Sequence, residues 1–306
     1  MTIELREEGG DERRMVAYRD WQPVARLGFG AREGFAGAPG VTGYVGWYEA
    51  SDDEAGASVL AGAAERLLAE GAGRVVGPLD GSTWHRYRVV MPREAEIEGG
   101  EPFLSEPANP PGWPRQFAEA GFHPLLEYET RLVRSPASDP DLAGRRAALA
   151  EGGVRVRALD LARYERELRA LYELSVDAFA ANPFYTPISF DEFAALYAGL
   201  RPFLDPNLVR LAERRDGALL GYVFAFPDAL AAPERPRIVL KTLAAHRDAR
   251  GMGLGGILVD DIHAIAAERG AAVLHALMQV SNVSETISRR SGSELFRRYV
   301  LYGRER

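Results

Sequence analysis

Residues 251–256, GMGLGG, place four glycines in six positions. The cluster lies between an alternating apolar run, RIVLKTLAA (237–245), and a run whose Leu254, Leu258, Ile262 and Ile265 share one helical face. Glycine weakens the interior of a strand or helix, so such a cluster marks a sharp turn or a close approach of the backbone to something else. A helix beginning there leaves its first amides without intrahelical acceptors, and its dipole favours an anion at that end. A phosphate-holding loop is the first expectation.

Three phosphate-loop patterns compete. A P-loop needs a lysine after its last glycine, and none follows here. G-x-G-x-x-G is matched by Gly251, Gly253 and Gly256. However, HRDAR intervenes after the strand, and the next strand, AAVLHALMQ, ends without the acid that a dinucleotide site needs. The third pattern, Arg-x-x-Gly-x-Gly, is filled by Arg250, Gly251, Met252, Gly253, Leu254 and Gly255. In the setting strand, loop, amphipathic helix, strand ending near Asn282 and short helix, this segment resembles the GCN5-related N-acetyltransferase (GNAT) superfamily. The element order from Val154 to Arg306 fits that fold.

That resemblance implies acetyl-CoA, or another acyl-CoA, as co-substrate. Its diphosphate would rest on the amides of residues 250–255, with Arg250 adding a charge. Its pantetheine arm would pair with the backbone of Leu243 and Ala245. The strand ending at Asn282 would splay away to admit the arm, and Asn282 would bind the arm, cap the following helix, or both. The superfamily often supplies a tyrosine acid seven residues past that asparagine. Here that position is Arg289. Tyr299 and Tyr302 are the nearest alternatives, so the catalytic candidates are Asn282 and Tyr299. Lys241, the only lysine of the chain, stands mid-strand before the loop. There it either pairs with a carboxylate or snorkels from an edge.

At 306 residues the chain suggests two domains. SPASDPDLAGRRAALAEGG (135–153) is the linker candidate, with a short helix inside it. The second half reads as β-α-α-β-β-β-α-β-α-β: strand 154–159, a helix from about 161, a capping box Ser189/Glu192, and a hairpin turning at Asp216-Gly217. The first half reads as β-β-α-β-β-α-β, with strands at MVAYRD, VTGYVGWYEA, GRVVGPL, WHRYRVVM and LLEYETRLV. Its Gly121-Phe122 and following strand also resemble the superfamily's ending, but it has no coenzyme loop. The expectation is therefore an α/β protein of two mixed-sheet acetyltransferase-like domains. Residues 1–134 form a degenerate copy and residues 154–306 the acyl-CoA-binding copy. Trp84, His85, Glu106, Asn109 and Trp113 are the candidates for an acceptor cleft.

Composition excludes several classes. Without cysteine there is no disulfide, thiolate metal site or cysteine nucleophile. The five histidines lack metal-ligand spacing, so no metal is expected, and His263 reads as solvent-facing. A net charge of −7 argues against non-specific nucleic-acid binding. The arginines at 289, 290, 297, 298, 304 and 306 read as a solvated basic face. No apolar leader or 18-residue apolar window is visible, so no membrane partner and a cytoplasmic location are expected. The reading is direct N-acyl transfer from acyl-CoA to a primary amine of a small molecule or peptide. Its rivals are a non-catalytic acyl-CoA-binding regulatory protein and an aminoacyl transferase that uses charged tRNA.

Overall fold

The structure is a computed structural model that describes residues 3–8, 13–93, 100–199, 201, 204–249 and 251–306. The first half contains β1 (Glu4–Glu8), β2 (Arg13–Arg19), β3 (Gln22–Glu33), β4 (Val41–Ala50), α1 (Asp53–Ala69), β5 (Arg74–Gly77), β6 (Val89–Val90), α2 (Trp113–Glu119) and β7 (His123–Val133). After α3 (Ala143–Glu151) come β8 (Val154–Ala158), α4 (Tyr164–Phe179), α5 (Phe190–Ala198), β9 (Val209–Arg214), β10 (Leu219–Pro227), β11 (Arg237–Ala245), α6 (Leu254–Glu268), β12 (Ala272–Gln279), α7 (Val283–Arg290) and β13 (Glu294–Glu305).

Local chemistry accounts for most boundaries. Ser189 and Glu192 cap α5 reciprocally: Glu192 N–H donates to Ser189 Oγ (3.2 Å) and Ser189 N–H to Glu192 Oε2 (2.7 Å). Gly217 turns the β9–β10 hairpin with a φ of +86°. Two strands, β1 and β3, lie outside the elements read from the sequence. β1 is exposed throughout and lies at the sheet edge. β3 carries Gly28 and Gly30, where a Cβ would meet the Trp47 ring at 2.7 Å and the Tyr44 hydroxyl at 2.7 Å. Glycine is used there to admit rings from β4, while Ala25, Leu27 and Phe29 alternate with it along the strand. WHRYRVVM is mostly loop: Arg88 adopts a φ of +93°, and only Val89–Val90 pair with β13.

All described strands join one mixed sheet, in the order β1-β2-β3-β4-β5-β13-β7-β12-β11-β10-β9-β8, with β6 on β13. Each half repeats one plan. Four antiparallel strands lead through a helix to a parallel strand, then through a short helix to a long final strand. The final strands are exchanged. β13 lies between β5 and β7, and β7 lies between β13 and β12, so each half's last strand is built into the other half's sheet. α1 covers β2–β4 over a core that includes Leu27, Tyr48, Leu60, Leu67 and Phe117. α6 covers one face of the second half with Ile257, Leu258 and Ile262. On the opposite face, Leu171 and Leu174 of α4 share a core with Phe224, Phe296 and Leu274.

The six arginines near the C-terminus do not form one solvated basic face, although Arg290, Arg298 and Arg306 are exposed. The Arg297 side chain is buried beside Glu106 (3.4 Å), Arg304 donates to the Ala120 carbonyl (2.9 Å), and Arg289 pairs with Glu285 and Glu129.

Because β7 and β13 are shared, both halves are expected to unfold together. Leu301→Ala removes a fully buried side chain of β13 and should cost about 2–5 kcal/mol. Calorimetry should show one transition in the wild type and one, shifted down, in the variant. Two separable transitions would contradict the interlock.

Candidate active site

β11 and β12 run parallel and pair from Arg237↔Ala272 to Leu240↔His275, and no further. Beyond that level both strands continue, apart from each other. Each carries an extra residue on its outer side at this level. The β10–β11 register passes from Ala225↔Leu240 to Phe224↔Thr242, which leaves Lys241 as a bulge. The β12–β7 register passes from His275↔Arg131 to Met278↔Glu129, which leaves a bulge at Ala276–Leu277. A bulge bends its strand and increases the local twist, so two bulges at one level part the pair.

The parted edge of β11 is a ready hydrogen-bonding surface. His246 N–H donates to the Leu220 carbonyl (2.8 Å), which fixes the alternation of the antiparallel β10–β11 ladder. By that alternation the amide groups of Leu243 and Ala245 face away from β10, into the gap. β11 then leads to the glycine loop. Gly251 and Gly253 have φ values of +81° and +73°, and Gly253 is the N-cap of α6 with no side-chain cap. The first amide with a helical acceptor is Ile257, on the Gly253 carbonyl (3.3 Å). Those of Leu254, Gly255 and Gly256 precede it and have no intrahelical carbonyl. A Cβ on Gly255 would meet Ile287 at 3.1 Å and Leu243 at 3.5 Å, so this glycine lets α6 start tight against β11 and α7. Met252 is exposed, whereas the Leu254 side chain is core. Both therefore offer the site their backbone. Arg250 lies outside the described residues.

Asn282 is the N-cap of α7: its Oδ1 accepts from Glu285 N–H (2.8 Å). It also lines a cavity of about 670 Å³ that fills the gap between β11 and β12. The far wall of this cavity comes from residues 83–88 and 105–108 of the first half and from the segment after α4. Of the acceptor-cleft candidates, Trp84, His85 and Glu106 line it. Asn109 instead clips β6, accepting from Val90 N–H (2.6 Å) and donating to its carbonyl (3.3 Å). Trp113 is core, 4.7 Å from the Tyr48 ring.

Tyr299 does not line the cavity. It is fully buried behind Glu106, donating to Glu106 Oε1 (2.6 Å) and sharing a hydrogen bond with Thr130 Oγ1 (3.0 Å). Burial and the adjoining carboxylate hold its phenol well above the usual range. Glu106 itself is raised by burial, with Tyr299 and Arg297 partly opposing. Its carboxylate lines the cavity and is held in place by the Tyr299 hydroxyl.

Several cavity residues carried no readable signal. Arg88 is sandwiched between the rings of Tyr87 (3.9 Å) and Tyr128 (4.3 Å) and donates to the Leu277 carbonyl (3.0 Å). Positive φ at non-glycine residues clusters around this cavity, at Arg88, Ser105, Leu277 and, beside its walls, Phe184 and Ser281. Each such residue costs on the order of 1–3 kcal/mol and persists only where the surroundings enforce it. His275, at the last paired level, also lines the cavity, and His263 is not solvent-facing. The two rings lie edge to edge with their planes 12° apart and their Nε2 atoms 2.9 Å apart. Burial, with His263 and Arg131 adding, pushes His275 down to about 3; burial also lowers His263, opposed by Asp260. The pair is therefore neutral, one Nε2–H donating to the other ring's lone pair.

The first half shows the same position closed. β4 and β5 pair only from Thr42↔Arg74 to Tyr44↔Val76, but Leu79 N–H then donates to the Val45 carbonyl (2.8 Å) and Trp47 N–H to Asp80 (2.6 Å). The gap is filled by the chain itself. α1 begins with Asp52 as its cap and Asp53 and Glu54 in its first turn, so carboxylates occupy the end that would otherwise favour an anion.

Sheet order, flanking helices and the parted parallel pair together give the chain the GNAT fold. Residues 168–285 match the model of the acetyltransferase (GNAT) family. Over 192 residues the chain is 28% identical to a protein of Caulobacter vibrioides named bacterial ceramide synthase, covering 61% of this chain and 48% of that protein. The chain thus spans about half the length of the curated relative it matches. Two solved structures show the fold over nearly the whole chain. One is a GCN5-related N-acetyltransferase from Sphaerobacter thermophilus (TM-score 0.50, 17% identity, 97% of this chain and 82% of that one). The other is a GCN5-related N-acetyltransferase from Anabaena variabilis (TM-score 0.53, 9% identity, 95% and 62%). No described helix is long and apolar enough to cross a membrane, and no described cluster of three or more His, Asp or Glu side chains is placed to hold a metal.

The histidine pair gives a pH prediction. An unfolded histidine titrates near 6.5, so below that pH the unfolded chain binds protons that the folded pair refuses. Stability is expected to fall as pH drops from 6.5 to 5, more steeply in the wild type than in a His263→Leu/His275→Leu variant. Denaturant midpoints at both pH values check this, and parallel slopes would contradict it.

Proposed function

We propose that the protein is an N-acyltransferase that moves an acetyl or other acyl group from acyl-CoA to a primary amine of a small molecule or peptide. The observation that carries this reading is the parting of β11 from β12 directly before a loop of unpaired amides. The coenzyme diphosphate rests on the amides of Gly253, Leu254 and Gly255. The pantetheine arm pairs with Leu243 and Ala245, passes Asn282 and Ile287, and brings the thioester to the bulge at Lys241. The coenzyme supplies the activated acyl group; the protein supplies orientation.

The amine enters from the side of Trp84 and Glu106. As an ammonium it gives one proton to Glu106. The freed nitrogen attacks the thioester carbon, the C–N bond forms, the C–S bond breaks, and the nitrogen's second proton goes to the departing sulfur. The first half, with its gap filled and its helix start acidic, takes no coenzyme and serves as the acceptor wall. A ceramide is an N-acylated amino alcohol, so the named relative supports amide formation and makes acyl-chain length a variable to test. Arg289, paired with Glu285 where the superfamily often has a tyrosine, favours a second reading: a coenzyme-binding protein without turnover.

Gly253→Val forces a β-branched side chain into a left-handed φ beside Arg145 and misaims the loop amides. Coenzyme A affinity, measured by calorimetry, is expected to fall about tenfold or more while the folded circular-dichroism signal survives. Unchanged affinity would overturn the site. Release of free thiol from acetyl-CoA with a panel of amines supports the transferase. Tight binding without release across acetyl and longer acyl donors supports the second reading.

A further inference from the structure

Resting on the acyl-transfer reading, we infer that the acceptor is an amine that also bears an anionic group, a carboxylate or a phosphate, and that Arg88 and Lys241 receive that group. The cavity holds these two cations without a carboxylate on either. Arg88 is spent on uncharged oxygens, the Leu277 carbonyl and the Tyr87 hydroxyl, and its Nε–H is buried with no acceptor. Lys241 donates only to the Ser105 carbonyl, at 3.3 Å. Neither forms an ion pair among the described residues.

The other charges of the cavity are already engaged. Arg86 pairs with Asp80 at 3.2 Å. Glu106 is bound by Tyr299 and lies 3.4 Å from Arg297. His275 is held neutral by its partner ring. Two unpaired cations facing one space repel: burial first, then Arg88, brings the Lys241 ammonium down to about 8, against the pull of Glu106. An anion between them removes that repulsion and supplies the missing acceptor. A further donor is ready. The Tyr185 hydroxyl lines the same cavity, is 94% buried by residue and has no hydrogen-bond partner.

The arrangement is costly without a ligand and built to last. The two aromatic rings fix the guanidinium plane. The left-handed backbone of Arg88 and of Ser105 places both the arginine and the carbonyl that holds Lys241. An anion held here leaves the acceptor nitrogen free to reach Glu106 and the thioester at the bulge.

Calorimetric titration of the full chain, with and without coenzyme A, tests this with matched probes: O-phosphoethanolamine against ethanolamine, and glutamate against glutamate dimethyl ester. At least one anionic member should bind about tenfold or more tighter than its neutral partner. Which pair shows it separates phosphate from carboxylate. The preference should collapse to about twofold or less in Arg88→Met and in Lys241→Met, and persist in weakened form in Arg88→Lys and Lys241→Arg, which keep the charge but not the donor geometry, if the methionine variants fold poorly. Lys241 is the only lysine. Its acetylation by acetic anhydride, located by mass spectrometry, should therefore be slowed by the anionic probe and not by the neutral one. Equal affinities, no binding by either pair, or a preference that survives both methionine substitutions would overturn the proposal. Coenzyme A affinity on the same samples reports separately on the acyl-transfer reading. Retained coenzyme binding without anion preference sinks the anion site alone.

Discussion

Two parallel strands that stop pairing at Leu240 and His275 determine what the rest of the molecule can do. A sheet interior does not give up hydrogen bonds without cause, because an unpaired buried amide is expensive. Here the cause is visible on both outer flanks. β11 carries one residue more than β10 at Lys241, and β12 is bulged against β7 at Ala276–Leu277. The strands are bent apart, and the amides of Leu243 and Ala245 are left facing the opening. The neutral histidine pair sits at the last closed rung and ties α6 to β12 there.

The exchange of final strands explains why this gap becomes an enclosed cavity. Because β7 belongs to the first half and lies beside β12, the loops of the first half are carried over the opening. The copy of the plan in the first half has the same parallel pair but closes it with Leu79 and Asp80. One half thus holds an open rung and the other supplies its lid. The residues that crowd the cavity in strained backbone conformations come from both.

Much of this was legible in residues 154–306. The spacing of apolar residues, the Ser189/Glu192 box, the Asp216-Gly217 turn and the glycine cluster each report a local event, and local events are what sequence patterns encode. Attention to Leu243 and Ala245 comes from the family resemblance, and the structure leaves their amides facing the gap. The strand exchange was not legible, because pairing between residues 123–133 and 294–305 has no local signature. Arg88 looked like one residue of an alternating strand; only its positive φ and its two flanking rings reveal it. His263 looked solvent-facing because its partner, His275, lies on the next strand. Glu106 emerged as a candidate from a proline-rich turn, but its pairing with Tyr299 joins residues nearly two hundred positions apart.

Amide hydrogen exchange at Leu243 and Ala245, with and without saturating coenzyme A, tests the open rung most directly. If the coenzyme arm pairs with this edge, both amides become strongly protected on binding while Ala244, already bonded toward β10, changes little. Unchanged exchange at Leu243 and Ala245 in a chain shown to bind coenzyme A would contradict the account.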